Sequence, residues 1–139
     1  MAFTARVTQH DIPHLGSGQV IVFDVIETNV GNAYSKVTGA FTAPFSGIYV
    51  LHVTVGGWKA LASDPRNYLD VFVNSQAQAS LILSQSEQSS QMIIQVLNAG
   101  DVVTIRNNVR VDDSILGGLW STFSGFLLYE SDASELLVG

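Results

Sequence analysis

Strict alternation constrains this chain more than any other feature. After Gly47 the residues run Ile48-Tyr49-Val50-Leu51-His52-Val53-Thr54-Val55, with Tyr49, Leu51, Val53 and Val55 on one side and His52 and Thr54 on the other. A period of two puts one face of a strand against a core and turns the other away from it. The segment before it, from Phe23, is cut into short extended pieces by turn formers. Val30-Gly31-Asn32 and Thr38-Gly39 tolerate positive φ. Pro44-Phe45-Ser46-Gly47 makes a wider turn, because proline presets φ and glycine relieves the exit.

The pattern extends in both directions. Phe3, Ala5 and Val7 alternate in a first strand, His10 to Gly18 reads as loop punctuated by Pro13, Gly16 and Gly18, and Val20 to Val25 reads as a strand buried on both faces. Gly56 to Asn67 reads as a longer loop containing the turn signal Asp64-Pro65-Arg66-Asn67. Leu69, Val71 and Val73 then share a face, as do Ala77, Ala79, Leu81 and Leu83. After a polar turn, Gln91 to Leu97 and Val102 to Arg106 are strands joined by an Asn98-Ala99-Gly100-Asp101 hairpin. Asn107 to Gly118 reads as loop with a short strand at Val109–Val111, and Thr122 to Tyr129 is the closing strand. No stretch sustains a 3.6-residue period with caps, so no helix is expected. The spacing predicts an all-β, antiparallel sandwich of about ten strands. Residues 1–130 form one domain and 131–139 a short acidic tail.

A single domain of 139 residues needs neither disulfide nor metal to bury a sufficient core. The chain is 47% hydrophobic and only 13% charged, which suits a surface partly covered by sister subunits. Net charge is −6, and with Glu130, Asp132 and Glu135 set aside the body keeps nine acids against six bases, or −3. Nucleic acid demands a basic face and is therefore not an expected partner. No apolar run approaches membrane-spanning length, so no membrane insertion is expected. There is no cysteine and no Asn-x-Ser/Thr sequon. No signal peptide is visible, and Met1-Ala2-Phe3 leads directly into a strand; an initiator Met standing in place of a leader is consistent with secretion.

Phe23, Asn29 six residues on, Tyr34 five further, Phe41 seven further, then Gly47-x-Tyr49 form a spaced set. It resembles the signature of the C1q globular domain family. That family continues with two aromatics where this chain has Leu51 and Val53, both apolar and on the inward face. Ser121-Thr122-Phe123-Ser124-Gly125-Phe126-Leu127-Leu128-Tyr129 is similar to the family's last strand, and Gly100-Asp101-x-Val103 to its penultimate hairpin. The likeness runs in order from about Ala2 to Tyr129. It implies a jelly roll of the C1q and tumour necrosis factor-like kind, a homotrimer, an extracellular, secreted location and no enzymatic activity. The absence of a Gly-x-y tract resembles the bare heads abundant in invertebrates, molluscs especially, and a coiled-coil or collagen stalk removed from the chain also fits.

Candidate chemistry is sparse. His10 and His14 are four apart, but Pro13 and Gly16 forbid the helix that would align them as ligands. No Gly-x-Ser-x-Gly elbow or phosphate-binding glycine loop occurs, which leaves an enzyme without support. Asp112-Asp113 can chelate a hard cation or can be a solvated turn. Some members of the resembled family bind calcium through Asp-rich loops before the last strand. Here Ile115 to Trp120 carries no acid, so calcium stays an open candidate resting on Asp112 and Asp113.

Two loops mix aromatic and charged residues: Trp58, Lys59, Asp64, Arg66 and Tyr68 in one, Arg106, Arg110, Asp112, Asp113 and Trp120 in the other. Aromatic platforms beside directional donors suit glycan and protein recognition, while the alternative is that the tryptophans only cap the core. The expected ligand-binding residues are Arg106, Arg110, Asp113 and Trp120, with Trp58 and Arg66 as a second cluster. Tyr49 and Phe123 are expected in the core, and Val50, Ile93, Phe126 or its neighbours on apolar second faces. The function expected is innate-immune pattern recognition, a lectin-like trimer binding microbial or cell-surface carbohydrate. The alternative is a trimeric cytokine-like ligand for a protein receptor.

Overall fold

The computed structural model describes residues 1–58, 66–108 and 113–132. Within them lie nine strands: β1 (Ala2–Leu15), β2 (Val25–Val30), β3 (Phe41–Thr42), β4 (Gly47–Gly57), β5 (Arg66–Val73), β6 (Gln76–Ser84), β7 (Gln88–Leu97), β8 (Val102–Asn107) and β9 (Asp113–Glu130). They form two antiparallel sheets, β2-β1-β9-β4-β7 and β3-β8-β5-β6, packed as a jelly roll. The first and last strands are neighbours in the larger sheet, so each end of that sheet gathers several parts of the chain.

The core follows from the alternation. Tyr49, Leu51, Val53 and Val55 of β4 are buried, facing Leu69, Val71, Val103 and Ile105 from the other sheet. Phe3 is the centre of an aromatic cluster: its ring lies 5.1 Å from Tyr34, 4.9 Å from Phe41 and 4.9 Å from Phe123. Such offset and edge-on contacts add to plain burial. Two tyrosine hydroxyls fasten loops. Tyr34 donates to the Phe23 carbonyl (2.7 Å) and accepts from the Phe23 N–H (3.1 Å). Tyr49 brackets Phe45 the same way, at 2.7 and 3.2 Å. Burial pushes both phenols above their ordinary value. Tyr49 and Phe123 are core residues, as the strand faces require.

Several boundaries differ from the sequence expectation. The loop expected at His10–Gly18 is largely strand, because β1 continues to Leu15 against β9. Pro13 is accommodated where the register slips between Ile12 and Leu15, so no ladder donor is missed there. Of the expected strand Val20–Val25, Val20 makes an isolated bridge to Arg106 and Val25 opens β2 opposite Arg6, while Ile21 and Phe23 between them are buried. The loop expected through Gly118 is strand from Asp113 on. Gly117 there is not a breaker: a Cβ on it would meet the Gln9 carbonyl at 2.0 Å, so glycine permits the close approach of β1. Val109–Val111 lies outside the described residues, as does the tail from residue 133.

Side-chain assignments shift with register. A bulge between Val71 and Phe72 pairs Phe72 with Ala77, which leaves Ala77 exposed. Ile93 opposes Leu51 and packs on the core, so the exposed apolar residues of β7 are Met92 and Ile94. Asn98–Asp101 is a tight turn, with the Asp101 N–H on the Asn98 carbonyl (3.0 Å) and Gly100 at φ 94°. It joins β7 to β8 in different sheets, a corner and not a hairpin.

One face of the larger sheet stays apolar outward. Val50 of β4 lies between Ile94 of β7 and Phe126 of β9, and Ile48 between Val96 and Tyr129. Ile94 is 64% exposed, Phe126 44% and Met92 59%. Isolated exposed apolar residues are common, but a contiguous row across three strands marks a contact surface.

Candidate functional site

At the end of the sandwich away from Met1 and Glu130, β4 runs out in Gly56-Gly57-Trp58. The Gly57 N–H donates to the Glu87 carbonyl (2.7 Å), and its carbonyl accepts from the Ser86 N–H (3.0 Å). Ser86 sits at φ 64°, which tightens the β6–β7 turn. A Cβ on Gly57 would lie 2.1 Å from the Ser84 carbonyl, so only glycine lets that turn close on β4. The effect is to bring Glu87 and Gln88 beside Trp58.

Trp120 arrives by a different device. Along β1, Arg6 pairs with Thr122 and the next residue, Val7, with Gly118. Along β4, Thr54 pairs with Thr122 and Gly56 with Leu116. The residues between are thus surplus on both sides, and β9 throws them outward as a wide bulge, with Gly118 at φ 59°. Ser121 turns inward and anchors the bulge, accepting from the Gly56 N–H (3.1 Å) and donating to the Leu116 carbonyl. Leu119 and Trp120 are left outside, Trp120 at 51% exposure. The Gln88 side-chain amide donates to the Trp120 carbonyl at 3.0 Å and fixes the bulge to the β6–β7 turn.

Between them lies a cleft of about 350 Å³, lined by His10, Trp58, Ser86, Glu87, Gln88, Leu116 and Trp120. The His10 ring stands edge-on to Trp58 at 5.5 Å. Its Nδ1 lies 3.2 Å from Asp11 Oδ1. Two indoles, Leu116 and a few polar groups thus line one concave surface.

The structure sorts the expected binding residues differently. Trp58 and Trp120, placed in separate clusters by sequence, share this cleft. Arg106 is not on an end loop but in β8, on the outward face of the smaller sheet. Its guanidinium lies 4.7 Å over Phe72 and its Nε donates to Thr104 Oγ1 at 2.9 Å. Arg66 opens β5, 5.8 Å from the Tyr68 ring. Asp113 opens β9, its backbone opposite Leu15. Arg110 and Asp112 lie outside the described residues, as do Lys59 and Asp64. Among the described residues no group of three or more His, Cys, Asp or Glu could hold a metal ion, and Asp112 of the calcium candidate pair lies outside them. Glu87 and Gln88 were missed by sequence reasoning, which weighed His10 only as a metal ligand. The signal that could have found them is the Gly56-Gly57 pair, whose strand partners are Gln88, Leu116 and Ile115.

The comparisons with known proteins agree with this architecture. The C1q domain family matches residues 2–128. Caprin-2 of Danio rerio is 32% identical over 138 residues, covering 94% of this chain and 14% of that protein. Complement C1q tumor necrosis factor-related protein 3 of Homo sapiens is 30% identical over 142 residues, covering 94% and 52%. The chain thus spans about half or less of these two relatives. The globular domain of the zebrafish complement 1qA protein superposes with a TM-score of 0.71 at 19% identity, covering 94% of this chain and 98% of that one. With a family match over nearly all of the sandwich and the fold reproduced, this chain belongs to the C1q domain family.

Proposed function

We propose that this chain is a secreted, non-catalytic recognition module that assembles as a homotrimer and binds microbial or cell-surface sugars in the two-tryptophan cleft. The observation that carries the proposal is that both tryptophans of the chain line one cleft, at the end away from the chain's first residue and from Glu130. An indole covers the apolar face of a pyranose, while His10, Glu87 and Gln88 offer hydroxyl partners at its rim.

Domains of the C1q family are typically trimeric and serve immune recognition or ligand signalling. Two surfaces support a ring of this kind. The outward face around Ile48, Val50 and Phe126 is apolar. The sandwich edge formed by β6 and β7 carries no charged residue within either strand. A face and an edge are different surfaces, and a head-to-tail contact between them closes into a ring under three-fold rotation. A shallow sugar site is weak alone, and three copies facing a repetitive surface raise effective affinity about a hundredfold or more.

The test compares binding to a multivalent glycan surface by wild type, Trp58→Ala, Trp120→Ala and Arg106→Ala. Loss in the tryptophan variants, with folding and assembly intact, supports the cleft. Equal binding by the tryptophan variants and loss in Arg106→Ala moves the site to the smaller sheet's face. No glycan bound, with one tight protein partner, makes the chain a cytokine-like ligand instead.

A further inference from the structure

The charged group at the cleft is not one of the arginines expected there from sequence. Among the described residues lining it the charged side chain is Glu87, and neither lysine nor arginine contributes. Arg66 and Arg106 belong to the smaller sheet, paired with the rings of Tyr68 and Phe72. Resting on the sugar-binding proposal, we infer that the cleft selects sugar residues bearing a protonated amine over N-acetylated or acidic ones.

Three features support this selection. An ammonium group is attracted to the faces of Trp58 and Trp120, and tryptophan is the strongest such partner. Glu87 supplies a counter-charge at the rim, and a hydrogen bond between an ammonium and a carboxylate exceeds a neutral one in strength. An acidic sugar would instead meet Glu87 with like charge. An N-acetyl group carries no charge for Glu87 to pair with and offers the cleft only neutral hydrogen bonds. At about 350 Å³ the cleft suits one sugar residue and its linkage, so selection acts on a single ring's substituent.

Because both tryptophans of the chain line the cleft, intrinsic fluorescence reports its occupancy. The assembled protein is titrated with a glucosamine tetramer, an N-acetylglucosamine tetramer and a sialylated trisaccharide. The glucosamine tetramer is expected to bind about tenfold more tightly than its N-acetylated counterpart, with the sialylated sugar weakest. Glu87→Gln, which keeps the backbone bonds of the turn, should reduce the glucosamine affinity by about two- to fivefold, leave the N-acetylated tetramer unchanged and strengthen binding of the sialylated sugar. Raised salt should narrow the same gap. Equal binding of the two tetramers, preference for the sialylated sugar, or an unchanged preference in Glu87→Gln overturns the charge inference and leaves sugar binding standing. Failure of all three sugars to bind overturns both.

Discussion

Removing one oxygen atom from Tyr34 tests how the long segment ahead of β2 is held. In Tyr34→Phe the ring keeps its stacking on Phe3 at 5.1 Å, so no cavity larger than the hydroxyl opens. What is lost is the pair of bonds to the Phe23 backbone, 2.7 Å to its carbonyl and 3.1 Å from its N–H, with both residues buried. Each buried polar group left unpaired costs about 1–3 kcal/mol, offset in part because the hydroxyl no longer has to be dehydrated. The expected loss is about 2–3 kcal/mol. Tyr49→Phe is the internal control: its hydroxyl brackets Phe45 identically, but Phe45 is 45% exposed and water can replace the bonds. That variant should lose about 1 kcal/mol or less. Urea unfolding at one fixed protein concentration, with unchanged slope, measures both. Alkali gives a second arm. The folded Tyr34 phenol titrates above its ordinary value of 10.0, so its contribution is fully present below pH 10.0 and is lost as pH rises above it. Tyr34→Phe should flatten that alkaline loss. Equal destabilisation by the two variants would refute the claim that burial, and not the bond pattern, sets the cost.

The remaining predictions concern assembly, the cleft and acid. Phe126→Asp places a charge in the apolar row beside Val50 and should give single-chain mass by light scattering with the fold retained; a trimer surviving unchanged would contradict the contact face. Gly57→Ala drives a Cβ to within 2.1 Å of the Ser84 carbonyl, so it should displace the β6–β7 turn, weaken glycan binding at least tenfold and lower Tm, whereas normal binding would show the cleft does not need that turn. Burial pushes the Asp24 carboxyl up, but the Thr8 N–H and hydroxyl, each at 2.8 Å, outweigh it and hold the carboxyl below its ordinary 3.8. That stabilisation is present above pH 3.8 and is lost as pH falls below it, so Asp24→Asn should show a shallower acid loss in thermal melts.

What the sequence made legible was local. The period of two in β4 located Tyr49, Leu51, Val53 and Val55 in the core, and the alternation of Phe3, Ala5 and Val7 did the same for β1. The same local signals failed where only tertiary pairing decides. Asn98–Asp101 has the residues of a hairpin, yet nothing in a turn states which sheet the next strand joins. Pro13 and Gly117 fall in stretches read as loop, although one sits at a register slip and the other permits the close approach of neighbouring β1. The bulge presenting Trp120 exists only as a mismatch between β9 and its two partners, and a mismatch has no signature in one strand's own residues. That is why the two tryptophans were read as parts of separate clusters.

Shared occupancy of the cleft is read from the two indole N–H signals of Trp58 and Trp120 by NMR. The assembled protein is titrated with a glycan that it binds. One cleft holding both rings predicts that the two signals shift together on a single isotherm, while the Arg106 amide stays in place. A bound sugar that moves the Arg106 amide and leaves both indoles unshifted would contradict it.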